Sequence, residues 1–152
     1  MKVFLRNQIS KFHNHLQVLK SIPVIPYDGA QLKESVSSID IQKKWDDINF
    51  KVLFDYEIFP DNILTFYTQW TEDKRRMEPG DTIVQQIFIP PLKVFSNKLI
   101  VGVRIKDVFD EPKRKGFSYE TLEGHVERGI STFTIEQLDN GVVFKIQTHS
   151  SP

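Results

Sequence analysis

The spacing of hydrophobic residues changes along this chain, from a helical period near the N-terminus to alternation after Pro60. The first apolar set recurs at steps of three and four, which places its members on one helical face: Leu5, Ile9, Phe12, Leu16 and Leu19. This spacing predicts an amphipathic helix over residues 3–20. The helix is expected to end before Pro23 and Pro26, which lack an amide hydrogen, so that residues 21–40 form a loop.

After Pro60, apolar and polar positions alternate with the period of a strand that has one buried face. The alternation predicts six strands, over residues 64–70, 82–89, 99–109, 115–122, 130–138 and 141–148. The last two are joined by Asp139-Asn140-Gly141, whose Asn-Gly pair supplies the positive φ values of a tight hairpin. Residues 41–59 have a mixed pattern, in which "IQKKWDDI" is compatible with a short helix and "FKVLFDYEIF" is apolar on both faces.

Consecutive strands joined by short loops form an antiparallel meander, and its apolar face must be covered. The predicted fold class is α+β, an antiparallel sheet covered by a helix, in a single domain over residues 1–152. The N-terminal helix is the one long amphipathic helix in this pattern, so we expect it to cover the sheet. If it does not, a second copy of the chain would bury the apolar face in a homodimer.

Alternate connections of a meander lie at opposite ends of the sheet. The loops at 71–81, 110–115 and 138–141 then share one end, and the loops at 90–98 and 122–129 share the other. Six cations gather at the first end: Lys74, Arg75, Arg76, Lys113, Arg114 and Lys115. They predict an anion-binding or acidic-partner surface. The alternative is a set of solvated hairpin tips that nearby acids neutralise, namely Asp73, Glu78, Asp110 and Glu111.

The amino-acid composition excludes several classes of protein. Hydrophobic residues at 39% and charged residues at 26% are typical of a globular domain rather than a disordered chain. The absence of cysteine excludes disulfides and thiolate nucleophiles. No apolar run approaches the ~20 residues of a membrane span, and no signal peptide is recognisable, so we expect a cytoplasmic protein. The basic N-terminal helix is compatible with membrane-surface contact, but the chain is neutral and contains no nucleic-acid-binding module, so we expect no nucleic acid.

The segment "GFSYETLEGHVERG" at residues 116–129 carries a resemblance to a known family. Together with "PGD" at 79–81, Phe133, and Ser150 with Pro152, it resembles the domain-of-unknown-function family nineteen-ninety, grouped with START and Bet v 1-like helix-grip proteins. The resemblance implies a curved antiparallel sheet that grips a long helix around an apolar cavity. It supplies no catalytic residues.

The sequence departs from the pattern of that family in three places. Glu120 stands where the family usually has glycine, and Ile130 where it usually has glutamate. The family tends to continue past a terminal Ser-Arg-Pro into a C-terminal helix. Here Ser151 replaces the arginine and the sequence stops at Pro152, so a chain truncated before that helix is one expectation.

His125 is the first candidate for chemistry. One hypothesis is that His125, Glu127 and Arg128 form an acid–base group. The alternative is a turn in which His125 bonds neighbouring backbone and Glu127 pairs with a surface charge. No metal site is predicted, because His13 and His15 lie on different helical faces, and no phosphate loop or nucleophile elbow indicates a cofactor.

The remaining candidates predict a ligand site. Phe117, Tyr119 and Thr121 share one strand face, on which a tyrosine hydroxyl would orient a small apolar or amphipathic ligand. The alternative is a core tyrosine bonded to backbone. The predicted ligand-binding residues are Phe117, Tyr119, Thr121, Gly124, His125, Phe133 and Phe95. Three functions stay open: ligand binding, an enzyme that uses His125 and Glu127, and a regulatory domain that docks a protein partner.

Overall fold

The computed structural model describes residues 2–152 and has an α+β fold, as the alternating pattern predicts. Its centre is an eight-stranded antiparallel sheet. The strands are β1 (Lys2–Phe4), β2 (Lys33–Ile41), β3 (Leu64–Thr68), β4 (Thr82–Ile89), β5 (Asn97–Glu111), β6 (Arg114–Thr121), β7 (Arg128–Leu138) and β8 (Gly141–Ser151). The helices are α1 (Phe12–Leu19), α2 (Lys51–Phe54) and α3 (Gln69–Glu72), with 3-10 turns at Ile9–Lys11, Gly29–Gln31 and Trp45–Asp47.

The six predicted strands all form, and they follow one another as the predicted meander. In space the order is β2-β8-β7-β6-β5-β4-β3, and β1 pairs with the first part of β5. The first predicted strand is too long, because β3 ends at Thr68 and Trp70 belongs to α3. Thr68 is the N-cap of α3, and its side-chain oxygen accepts a hydrogen bond from the Thr71 amide.

The loop predicted over residues 21–40 is wrong in its second half, where β2 lies. This strand pairs with β8 continuously, from Lys33 opposite Ser150 to Ile41 opposite Val142. Its sequence lacks apolar alternation because eight of its nine residues are exposed, on an edge strand that faces solvent on both sides. Backbone hydrogen bonds to β8, rather than a buried face, hold β2 in the sheet.

The helix predicted over residues 3–20 is wrong in its extent, because α1 is its one α-helical part and β1 precedes it. Phe12 and Leu16 are buried as the helical spacing requires, whereas Leu5 and Ile9 are exposed. The first residues pair with β5 instead. They find a free edge there because β5 is longer than β6 and leaves its first residues unpaired on that side.

The sheet buries two apolar clusters, one on each face. The larger lies on what we call the front face, which carries Ile105, Phe117 and Phe133. Residues 45–59 cover this face, so the predicted cover by the N-terminal helix is wrong there. Helix α1 packs on the opposite, back face, around Val84. The covering segment is rich in apolar side chains that reach the front cluster: Trp45, Ile48, Phe50, Leu53, Phe54, Tyr56, Ile58 and Phe59.

The two ends of the sheet are arranged as predicted. The β4–β5 and β6–β7 connections lie at one end, and the other three connections of the meander lie at the opposite end. His125 and Arg75 are therefore at opposite ends, which confirms their predicted placement. Across residues 2–152, no helix combines the length and apolar character needed to cross a bilayer.

Candidate functional site

Buried polar side chains form a continuous hydrogen-bonded network on the front face. The hydroxyls of Tyr119 and Tyr56 lie 2.8 Å apart, and the Gln85 amide nitrogen donates to the Tyr56 hydroxyl at 2.8 Å. The Gln85 amide oxygen lies 3.0 Å from Nε2 of His125. On the other side of the ring, Nδ1 accepts a hydrogen bond from the Glu127 backbone amide at 3.1 Å. We call these connected side chains the polar network.

The hydrogen bonds assign the tautomer of His125 in the polar network. A backbone amide can only donate, so Nδ1 of His125 carries no proton and Nε2–H donates to Gln85. Gln85 donates in turn to Tyr56, and the hydroxyls of Tyr56 and Tyr119 share a further hydrogen bond in which either oxygen can be the donor. Burial lowers the pKa of His125 to about 4 and raises the pKa of Tyr119 to about 12, because it removes water from the charged forms. The network is therefore uncharged near neutral pH.

Two glycines shape the loop that presents His125. Gly124 has a φ of +89°, a conformation that glycine adopts without steric cost. At Gly129, a Cβ atom would lie 1.9 Å from the carbonyl oxygen of His149 in β8, so a side chain there would collide with backbone. The Gly129 amide donates to the Thr121 hydroxyl at 3.1 Å. The glycines and the threonine of the 116–129 segment thus build the turn around the imidazole.

The three residues of the predicted acid–base group differ in their surroundings. His125 is partly buried, whereas Glu127 and Arg128 are exposed. Glu127 bonds the imidazole through its backbone amide, and the residue lines a groove of about 570 Å³ beside Lys33 and Thr148. Both ring nitrogens of His125 are thus engaged by an amide side chain and a backbone amide rather than by a carboxylate.

The residues predicted to line a ligand cavity are divided between the core and the surface. Four are buried on the front face: Phe117, Tyr119, Thr121 and Phe133. The Tyr56 ring packs against three of them, with centroid distances of 6.1 Å to Phe117, 5.8 Å to Tyr119 and 6.4 Å to Phe133. Phe95 lies apart from this group and is 94% exposed in the β4–β5 loop. Gly124 is exposed beside His125.

Sequence reasoning missed two members of the polar network, Tyr56 and Gln85. Tyr56 lies in the segment to which no period was assigned, and its partners are remote in sequence. A signal for Gln85 was present, because the strand "TIVQQIFI" places two adjacent glutamines between apolar residues, and adjacent strand residues point to opposite faces. A buried polar side chain requires a hydrogen-bond partner, so its position indicated a polar contact in the core.

A second candidate site lies at the opposite end of the sheet, in a groove of about 600 Å³ that we call the Arg76 groove. Its apolar lining consists of Phe50, Phe54, Met77 and Val108. Its charged lining consists of Lys51, Asp55, Arg75, Arg76, Asp110 and Lys115. Half of the six predicted cations thus line one groove. Arg114 is elsewhere, with its guanidinium over the Phe109 ring at 4.0 Å from the centroid.

Most cations of the Arg76 groove already have an acidic partner. Arg75 holds both carboxylate oxygens of Asp81, at 2.9 and 2.7 Å, and Asp81 is buried. Two more ion pairs lie within the lining: Lys51 with Asp55, and Lys115 with Asp110. Arg76 differs, since it is exposed and forms no ion pair within residues 2–152. The lining of the groove therefore combines apolar side chains with one guanidinium that has no ion-pair partner in residues 2–152.

Comparison with known proteins agrees with the resemblance carried by the 116–129 segment. A family model described as "Domain of unknown function (DUF1990)" matches residues 42–152. No curated protein and no solved structure matches the chain. The matched range contains the cover of the front face, the polar network and the Arg76 groove. Because the match spans well over half of the sequence, the chain belongs to the DUF1990 family.

Proposed function

We propose that this protein binds a small amphipathic anion in the Arg76 groove. Small-molecule sites combine an apolar lining with a few polar groups that orient the ligand. Phe54, Met77 and Val108 provide surface for an apolar body. Arg76 provides a planar guanidinium for a carboxylate, sulfonate or phosphate group.

The observation that carries this proposal is the difference between Arg76 and its neighbours. Arg75 is held by Asp81, and Lys115 by Asp110, so their charges are already satisfied within the protein. Arg76 lines the same groove without such a partner in residues 2–152. An anionic ligand would complete this arrangement without breaking an existing ion pair.

The helix-grip assignment, START/Bet v 1-like, belongs to the same proposal. In that architecture a ligand lies between the sheet and the element that covers it. Tyr56 fills the centre of the front face, so we place the ligand at the margin of the cover. The Arg76 groove is such a margin, because residues 50–55 meet the β3–β4 loop there.

The acid–base alternative has less support from the geometry. A general base needs an accessible lone pair, whereas Nδ1 of His125 already accepts a hydrogen bond from the Glu127 amide. The low pKa of His125, caused by burial, also makes its protonated form rare at neutral pH. We therefore assign the polar network a structural role, which is to join the cover, the sheet and the β6–β7 loop.

The binding proposal is tested with a dansylated undecanoic acid, a fluorescent fatty acid with one carboxylate. We expect saturable binding to the wild-type protein. Arg76→Gln should weaken it about tenfold, since a hydrogen bond to a charged group contributes about 1.5–3 kcal/mol. The matched control is Arg128→Gln, which removes an exposed arginine at the opposite end of the sheet and should leave the affinity unchanged.

Two results would contradict this proposal. One is the absence of saturable binding to the wild-type protein. The other is equal affinity in the wild-type protein and the Arg76→Gln variant. Amide chemical-shift changes measured by nuclear magnetic resonance should locate the bound probe near Met77. Changes confined to the surroundings of Tyr119 would instead place the ligand on the front face and overturn the assignment to the Arg76 groove.

A further inference from the structure

Exposed apolar side chains are concentrated at the His125 end of the sheet. We call one group there the Phe95 tip: Leu5, Ile89, Leu92, Val94 and Phe95. Phe95 is 94% exposed, Leu5 81% and Val94 62%. Single exposed hydrophobic residues are normal on a protein surface, but a group of them marks an interaction site. The tip belongs neither to the polar network nor to the Arg76 groove.

Specific contacts bring the two segments of the Phe95 tip together. Ile89 pairs with Asn97 across β4 and β5. Strand β1 pairs with the start of β5 on its other side, where Phe4 lies opposite Lys98. The Lys98 ammonium donates to the carbonyl oxygens of Leu5 at 3.2 Å and of Ser96 at 2.9 Å. Leu5 and the β4–β5 loop are therefore fixed beside one another.

The tip is also positively charged. Residues 2–6 and 88–98 together contain Lys2, Arg6, Lys93 and Lys98 and no carboxylate. Lys93 pairs with Asp61. Lys98 is 4% exposed and bonds only carbonyl oxygens within residues 2–152, so no acid in this part of the chain neutralises it.

We propose that the Phe95 tip docks onto an anionic lipid surface. A projecting phenylalanine with aliphatic neighbours can enter the boundary between headgroups and acyl chains, while nearby cations attract acidic headgroups. The charge argues against a second copy of the chain as the occupant, because two such tips would bring like charges together. The exposure of Phe95 also fits insertion, since a side chain that is 94% exposed projects from the surface rather than lining a groove.

Sedimentation with lipid vesicles tests this inference on the full chain. We expect binding to vesicles of phosphatidylcholine and phosphatidylserine in equal parts, weaker binding to phosphatidylcholine alone, and a decline with added salt. A Val94→Ser/Phe95→Ser double variant should lose at least about tenfold in partitioning, because it removes the inserted apolar surface. Arg6→Gln should lose about fivefold, as expected for one cation near an anionic membrane.

A matched control uses exposed apolar residues far from the tip. Val36→Ser/Ile39→Ser, on the edge strand β2, removes similar side chains and should keep wild-type partitioning. Unfolding midpoints measured for both double variants establish that they are folded. Equal losses in the two double variants, or no sedimentation of the wild-type protein with anionic vesicles, would overturn the proposal. A dimer in sedimentation equilibrium that the tip variant abolishes would assign the tip to a second copy and overturn it as well.

Discussion

The two faces of the sheet are covered in different ways. On the front, residues 45–59 contribute one short helix and a group of aromatic side chains, with Tyr56 completely buried among them. On the back, the more regular helix α1 places Phe12 and Leu16 against Val84 and Ile100. The irregular segment covers the face with the larger apolar cluster because it contributes more apolar side chains. The free energy of burial depends on the apolar area removed from water rather than on helical regularity.

Both faces contain buried polar side chains, but these connect different parts of the chain. On the back, Gln86 accepts a hydrogen bond from the Gln8 amide, which precedes α1, and donates to Asn7 and Thr65. On the front, Tyr56 joins the cover to the sheet through Gln85, and Gln85 joins the sheet to His125. Hydrogen bonds in an apolar core are directional, so they hold each cover in one position. Because the front cluster contains more buried apolar residues than the back cluster, we predict that the front cover makes the larger contribution to stability.

The largest effect is expected for Tyr56→Ala. Removing this ring leaves a cavity among Phe117, Tyr119 and Phe133 and deprives Gln85 of its acceptor. We expect the free energy of unfolding to fall by about 4 kcal/mol, measured by urea denaturation. The control Tyr56→Phe keeps the ring and loses the hydroxyl, at a cost of about 1 kcal/mol. A loss below about 1 kcal/mol for Tyr56→Ala would show that the cover is not anchored there.

A somewhat smaller effect is expected on the back face for Leu16→Ala. Leu16 is completely buried, and its truncation should cost about 3 kcal/mol in the same denaturation experiment. The matched control is Val18→Ala on the same helix, where half of the side chain is exposed and the change should stay within about 0.5 kcal/mol. If Leu16→Ala cost clearly more than Tyr56→Ala, the ranking of the two covers would be reversed.

The smallest effect is a pH dependence that belongs to the front face. Burial lowers the pKa of His125 to about 4, below its value of 6.5 in the unfolded chain. Between these pH values the unfolded state binds the proton more readily, so stability is complete above pH 6.5 and declines as the pH falls toward 4. We expect a loss of about 2 kcal/mol between pH 7 and pH 5.

The contribution of His125 is isolated by comparison with His125→Gln, whose amide can still donate to Gln85 but does not titrate in this range. Carboxylates contribute equally in both proteins, so the difference between their two stability curves reports the histidine. Parallel curves from pH 7 to pH 5 would show that the imidazole is not buried in the folded state.

Much of the fold was accessible from the sequence because its signals are local. The alternation in "TIVQQIFI" and "ISTFTIEQL" predicted β4 and β7, and the Asn140-Gly141 pair predicted the hairpin into β8. The order of the strands then placed His125 and Arg75 at opposite ends, since consecutive antiparallel strands must reverse direction. Strand β2 was not accessible in this way, because an edge strand exposed on both faces carries no apolar period.

The candidate sites were less accessible because they depend on contacts between remote residues. The 116–129 segment indicated His125, and Gly124 and Gly129 have the conformations of a turn and a close approach. Its partner Gln85 is 40 residues away in sequence, and nothing near His125 specifies that pairing. The charge runs predicted a basic end but not that Arg76 is free while Arg75 is held by Asp81.

By itself the sequence determined the six strands of the meander, their reversal at each turn and the gathering of six cations at one end, because these follow from the period of side chains and the order of residues. Tertiary structure decided which segment covers which face, how Tyr56 reaches Gln85 and why Phe95 remains outside the core. The reason is that more than one segment of the chain has the apolar side chains to pack on a given face of the sheet. Which segment packs there depends on buried area, shape and hydrogen-bond partners contributed by distant parts of the chain.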